Sequence, residues 1–119
     1  MKFNFEDLVV YQKSLDFIDF VYSTTNEFPK EELYGLTSQF RRASVSIALN
    51  ISEGSGGSDK EFSRFLRISS NSLKECVVCT TIATRQKYIS EEINQKCRRD
   101  LVEISKMISG LHKYLRNKK

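Results

Sequence analysis

A Cys76-x-x-Cys79 pair, a single histidine at position 112 and the carboxylates Glu53 and Glu75 are the residue types from which a catalytic or metal site would be assembled. Two cysteines at that spacing offer a redox couple or half a zinc site. The redox couple works from a βαβ setting, and the surrounding sequence does not read as strand. A zinc site would need Cys97 and His112 as well. Those two stand fifteen residues apart on what reads as one helix, roughly 22 Å along its axis, too far to share one ion with the same pair. The three cysteines therefore read as reduced core residues, and no metal or cofactor is expected. His112 has no nucleophile spaced to suit it. A helical nuclease of the Arg-x₄₋₆-His type would need an arginine shortly before it, where Lys106 stands. Glu53 and Glu75 could face one another and share acid–base work. The simpler reading pairs each with Arg42, serine or asparagine in a polar seam. No enzyme is expected.

The basic residues carry a different chemistry. Arg99, Lys106 and Lys113 repeat at seven, with Lys96, Arg98, Arg116, Lys118 and Lys119 around them. Such a row can bind phosphates, with strong salt dependence and little sequence preference. It has no interleaved aromatic beyond Tyr114, so base stacking is not indicated. The formal charge of +4 hides an asymmetry: residues 1–59 carry five Lys/Arg against nine Asp/Glu, and residues 60–119 fourteen against six. An acidic front (−4) and a basic back (+8) suit a head-to-tail contact between subunits or a basic face for nucleic acid. A solvated mix of helix surfaces would produce the same totals. The candidate nucleic-acid contacts are Arg41, Arg42, Lys96, Arg99, Lys106 and Lys113.

These residues need helices to position them. The chain of 119 residues suits one domain, and its single proline and five glycines leave long segments without breakers. Four helices are predicted at about 7–27, 35–53, 59–86 and 91–116. Phe28-Pro29 ends the first, because the residue before proline avoids the α region. A short 3₁₀ turn is expected between Lys30 and Gly35. Gly54 stands at the position after the second helix that favours glycine. Ser58 with Glu61 forms a capping box for the third, and Ser90 caps the fourth. Short links and heptad-like seams give an all-α fold, an antiparallel up-down-up-down four-helix bundle.

The stretch Gln39–Gly54 shows three surfaces at 100° per residue. Leu36, Phe40, Ala43, Ile47 and Ile51 form a core stripe. Gln39, Ser46, Asn50 and Glu53 form a polar edge, expected to pack against Ser69, Ser72 and Glu75. Val45 and Leu49 form a second apolar patch. In the first helix Leu8, Tyr11, Leu15, Ile18, Tyr22 and Thr25 read as the seam, Val10, Ser14, Val21 and Phe28 widen that face, and Phe17 and Phe20 point progressively away from it. With Val78 and Ile82 of the third helix, Phe17, Phe20, Val45 and Leu49 are the candidate subunit interface. No apolar run is long enough to span a membrane and no signal-peptide pattern opens the chain, so a cytoplasmic protein is expected.

The quoted residues also carry a family resemblance. Phe5-x-Asp7-Leu8-x-Val10-Tyr11-Gln12, Phe28-Pro29, Glu32-x-Tyr34-Gly35-Leu36-Thr37-x-Gln39, Arg41-Arg42-Ala43-x-x-Ser46-Ile47-x-x-Asn50-Ile51-x-Glu53-Gly54, Glu61-Phe62-x-Arg64-Phe65-Leu66 and Ser72-Leu73-x-Glu75 resemble bacterial four-helix-bundle proteins. These include proteins encoded in intervening sequences of the large (23S) ribosomal RNA gene, and the similar accessory variability proteins of diversity-generating retroelements. The resemblance is close from residue 5 to about 75 and holds only in pattern over the last helix. It implies a homopentameric barrel with a central channel, basic surfaces that engage RNA or DNA, and, for the retroelement branch, contact with a reverse transcriptase. The alternative expectation is a protein-interaction scaffold that binds no nucleic acid.

Overall fold

The computed structural model describes residues 1–118. Four helices fill it: α1 (Val9–Thr25), α2 (Leu36–Ser55), α3 (Asp59–Arg85) and α4 (Glu91–Asn117). Short links force each helix antiparallel to the one before it. Each packs on its two neighbours around the bundle, α1 on α2 and α4, α3 on α2 and α4. The bundle measures 49 × 28 × 20 Å.

Each helix end has a chemical cause. Ser58 Oγ accepts from the Glu61 N–H at 3.1 Å, and the Glu61 carboxylate accepts from the Ser58 N–H at 3.4 Å, the reciprocal cap of α3. Ser90 Oγ accepts from the Ile93 N–H at 3.1 Å and starts α4. The N-terminus of α2 follows Gly35, which has no side chain to cap with. Glu32, in the 3₁₀ turn Lys30–Glu32, substitutes: its Oε1 accepts from the Leu36 N–H at 3.1 Å and its Oε2 from the Tyr88 hydroxyl at 2.9 Å. One carboxylate thereby caps α2 and ties it to the α3–α4 link. A second 3₁₀ turn, Asn4–Asp7, docks the N-terminal arm through Phe5, set edge-on to Tyr11 with centroids 5.1 Å apart.

The core runs along the bundle axis through Phe17, Phe40, Ile47, Ile51, Leu66, Leu101 and Ile104. Two expectations change here. The buried row of α1 is Val10, Ser14, Phe17, Val21 and Thr24, together with Thr25 and the following Phe28. Phe17 is 2% exposed and lies 6.5 Å from the Phe40 ring, so it is a core residue and not an interface residue. Phe20 is half-buried against the core, and the Lys96 ammonium sits over its ring at 4.9 Å. The cause is that α1 is apolar over most of its circumference, so two heptad phases fit its sequence. Ser14, already on the widened face, lies on the buried side. It is small, and its hydroxyl bonds the Val10 carbonyl at 2.8 Å, so it can be buried where Tyr22 cannot.

Helix α2 runs past Gly54 to Ser55. Gly54 is not a helix terminator but the point where α2 meets the first turns of α3. A Cβ there would stand 2.7 Å from Phe65 Cβ.

Candidate nucleic-acid interface

The exposed side of α3 follows from its buried side. Phe62, Leu66, Ser69, Leu73, Cys76 and Thr80 face the core. At 100° per residue the opposite face carries Lys60, Arg64, Arg67, Asn71 and Lys74, then Val78 and Ile82. Lys60, Arg67 and Lys74 repeat at seven, the spacing that marks Arg99, Lys106 and Lys113 on α4. The α3 row carries the same seven-residue repeat in the sequence as the α4 row and was not among the expected contacts. Both rows are exposed, and α3 and α4 are neighbours, so together they make one cationic side of the bundle.

Where α3 begins and α4 ends, the two helices leave a groove of about 620 Å³. It is lined by Asp59, Lys60, Glu61, Ser63, Arg64 and Arg67 of α3 and by His112, Leu115 and Arg116 of α4. None of Lys60, Arg64, Arg67, Lys74, Arg99, Lys106, Lys113 or Arg116 forms an ion pair among the described residues. The pairs there are Lys2–Asp7, Lys13–Glu103, Lys96–Asp100 and Lys118–Asp59.

The six expected contacts do not form one site. Arg41 is turned inward to α1: its Nε donates to Thr25 Oγ1 at 2.8 Å, its Nη2 to Asn26 Oδ1 at 3.0 Å, and the guanidinium stacks on Tyr22 at 4.7 Å. It is a brace between α1 and α2, and leaves the set of phosphate contacts. Arg42 is exposed on α2. Lys96 is held by Asp100 at 2.7 Å and by Phe20. Arg99, Lys106 and Lys113 stay together on α4. Arg98 donates to Asn94 and Thr81 and joins α4 to α3. Lys119 lies outside the described residues.

The polar seam between α2 and α3 is hydrogen-bonded over part of its length. Ser46 and Ser72 share a bond of 2.8 Å, Asn50 donates to Ser46 Oγ at 3.0 Å, Ser69 donates to the Ile47 carbonyl at 2.9 Å, and Gln39 donates to Glu75 at 3.0 Å. Glu53 is exposed and lies outside these bonds. The helices are antiparallel and Gln39 already meets Glu75, so Glu53, fourteen residues on, sits roughly 21 Å further along α2. The two carboxylates cannot work as a pair.

Cys76, Cys79 and Cys97 are free thiols in the core. Burial, the largest cause for each, holds all three protonated. Cys79 is pushed from an ordinary 9.0 to about 11 by burial and then by Glu75. Cys97 reaches about 11 through burial, offset in part by hydrogen bonding with Thr80. Cys76 is raised further by burial and by Cys79. A thiol held this way is neither a nucleophile nor a ready metal ligand. Among the described residues no cluster of three His, Cys, Asp or Glu is placed to hold a metal ion, and no helix is long and apolar enough to cross a membrane.

Of the other residues expected at a subunit interface, Val45 is half-buried, and Leu49, Val78 and Ile82 are exposed. Val78 and Ile82 line an apolar groove of about 370 Å³ between α2 and α3 with Leu36, Cys79 and the polar rim Gln39, Asn71, Lys74 and Glu75.

Comparison with known proteins bears on the whole fold. A crystal structure from Bacteroides thetaiotaomicron, described as a protein with unknown function from the S23 ribosomal protein family, superimposes with a TM-score of 0.81 at 25% identity. The match covers 88% of this chain and 96% of that one. No curated protein matches the sequence. The family model for the 23S rRNA-intervening sequence protein matches residues 6–110, which include all of α1, α2 and α3 and most of α4, and the chain belongs to that family.

Proposed function

We propose that this protein is a non-enzymatic, oligomeric helical bundle that binds nucleic acid, RNA in the first place, through the basic surfaces of α3 and α4. The observation that carries the reading is the set of exposed cations on α3 and α4, Lys60, Arg64, Arg67, Lys74, Arg99, Lys106, Lys113 and Arg116, none of them in an ion pair among the described residues. Cations so placed bind a polyanion by releasing its counterions. RNA is named first because the family's description is that of a 23S rRNA-intervening sequence protein. The S23 ribosomal protein family of the Bacteroides structure points the same way.

Assembly of several copies, a pentamer by resemblance, is supported by the exposed Leu49, Val78 and Ile82. The same apolar groove between α2 and α3 favours a second reading, a scaffold that docks a protein partner such as a reverse transcriptase without touching nucleic acid. A gel shift with a structured RNA, titrated in salt, separates the two. A retarded complex at low salt that fades as salt rises is expected. Absence of any complex at low salt overturns the first reading and leaves the second.

A further inference from the structure

We propose that the groove where α3 begins and α4 ends is the seat of the phosphodiester backbone of base-paired RNA. This rests on the RNA-binding reading above and gives it an address other than the α4 row. Four cations converge on the groove from two helices: Lys60, Arg64 and Arg67 from α3 and Arg116 from α4. Like charges brought together repel, and the arrangement gains when an anion enters. The groove's own acids do not supply that anion. Asp59 is engaged by Lys118 at 3.4 Å. Glu61 is held at the α3 cap by the Ser58 N–H and offsets one of the four cations, which leaves the groove with a net positive charge. Three of the four cations are arginines, whose planar fork matches two phosphate oxygens at once. The Arg64 guanidinium rests over the Phe65 ring at 4.4 Å.

The shape of the cationic strip selects a chain of phosphates over a single one. It continues from the groove along α3 to Lys74, so Lys60 to Lys74 spans roughly 21 Å. That length is the reach of several successive phosphates of one strand, not of one phosphate group. The chemistry of the walls selects a paired strand. Stacking of unpaired bases needs exposed aromatic faces. No Phe, Tyr or Trp lines the groove, His112 being its one flat ring, and Phe65, beside it, is half-buried with its ring covered by Arg64. A double helix hides its bases and turns its phosphates outward, which is what a groove dominated by arginines, with a single imidazole, can read.

The test measures binding of a fluorescent RNA hairpin to the full chain by anisotropy, from low to moderate salt. Three proteins are compared: wild type, a groove variant (Lys60→Gln, Arg64→Gln, Arg67→Gln) and an α4-row variant (Arg99→Gln, Lys106→Gln, Lys113→Gln). The groove variant is expected to bind at least about tenfold more weakly, with a log–log salt slope shallower by about 3, one per lost phosphate contact. Arg116→Gln, on the other helix, should flatten the slope by about 1. The α4-row variant should stay within about threefold of wild type at low salt and keep most of the slope. The substituted side chains are exposed, and circular dichroism checks that helix content holds. If wild type binds the hairpin but only the α4-row variant loses affinity, RNA binding stands and this site is overturned. If wild type binds no RNA at low salt, the functional reading falls and the site with it. Equal or tighter binding of an unstructured single strand overturns the base-paired assignment. Displacement of the hairpin by poly-glutamate at comparable concentration overturns RNA in favour of an acidic protein.

Discussion

A methyl group on Gly54 would stand 2.7 Å from Phe65 Cβ and 3.0 Å from a ring carbon of Phe62. Both neighbours belong to the first turns of α3, where the capping box holds the backbone, so neither can retreat cheaply. Gly54→Ala is expected to destabilise the fold by about 1–3 kcal/mol, the usual cost of overpacking, read as a lower urea midpoint. Lys87 poses the opposite problem. It has φ 65°, follows the C-cap of α3, and donates its N–H to the Thr84 carbonyl while Tyr88 N–H reaches the Ala83 carbonyl. That is the paired closure in which glycine is usual, because a Cβ is strained at this φ. Lys87→Gly should therefore raise stability, by up to about 1 kcal/mol, seen as a higher melting temperature. Arg41 separates structure from binding. Its guanidinium is used on Thr25, Asn26 and Tyr22, so Arg41→Ala should cost roughly 1 kcal/mol of stability and leave RNA affinity unchanged. A loss of affinity with unchanged stability would return Arg41 to the binding surface.

At the scale of helices, α3 and α4 meet across the three thiols, and that seam has a pH dependence with a definite sign. Cys79 and Cys97 titrate near 11 when folded and near 9.0 when exposed. Unfolding therefore releases protons above pH 9. The stability they contribute is complete below about 9 and is lost as pH rises through about 11. Urea midpoints at pH 8 and pH 10.5 should fall with pH, and fall less steeply in a Cys79→Ala, Cys97→Ala variant. An equal slope in both proteins would assign the alkaline loss to other groups. The same seam shows what periodicity can read. In α3 and α4 one face is apolar and the other charged, so Phe62, Leu66, Leu73, Cys97, Leu101 and Ile108 were legible as core. In α1 nearly every face carries an apolar residue, and phase is then settled by what the neighbours can accommodate. Phe17 was misplaced for that reason. The α2–α3 seam was legible because small polar residues fell in register on both helices. Glu53 was misplaced because antiparallel pairing sets the level at which residues meet, and spacing within one helix does not contain it. The Glu32 cap and the α3–α4 groove join residues from separate elements, so neither had a local signature. Only the cationic row of α3 could have been read directly, from the same seven-residue repeat as the row on α4.

The whole molecule presents unlike sides, among them one cationic along the rows of α3 and α4 and one apolar where Val78 and Ile82 rise between α2 and α3. The apolar side decides whether the subunit stands alone. Val78 is 57% exposed and Ile82 41%, and contiguous apolar patches on a monomer commonly mark an interface. If copies meet there, folding and assembly are linked by mass action, and the melting temperature of wild type must rise with protein concentration. Val78→Asp tests this without touching the core, since the side chain does not contribute to the subunit's interior. In an interface the new carboxylate would be buried without a partner, which opposes association strongly. The variant is therefore expected to scatter light as a monomer of 13.8 kDa, with a melting temperature that no longer depends on concentration. Its far-ultraviolet spectrum should match wild type. An assembly of unchanged mass would move the interface off the α2–α3 groove, and a wild type already monomeric at tens of micromolar would remove assembly from the proposed function altogether. Retention of RNA affinity in Val78→Asp would show that the cationic side works within one subunit. A parallel loss of affinity and mass would mean that several such sides must be held together to grip one RNA.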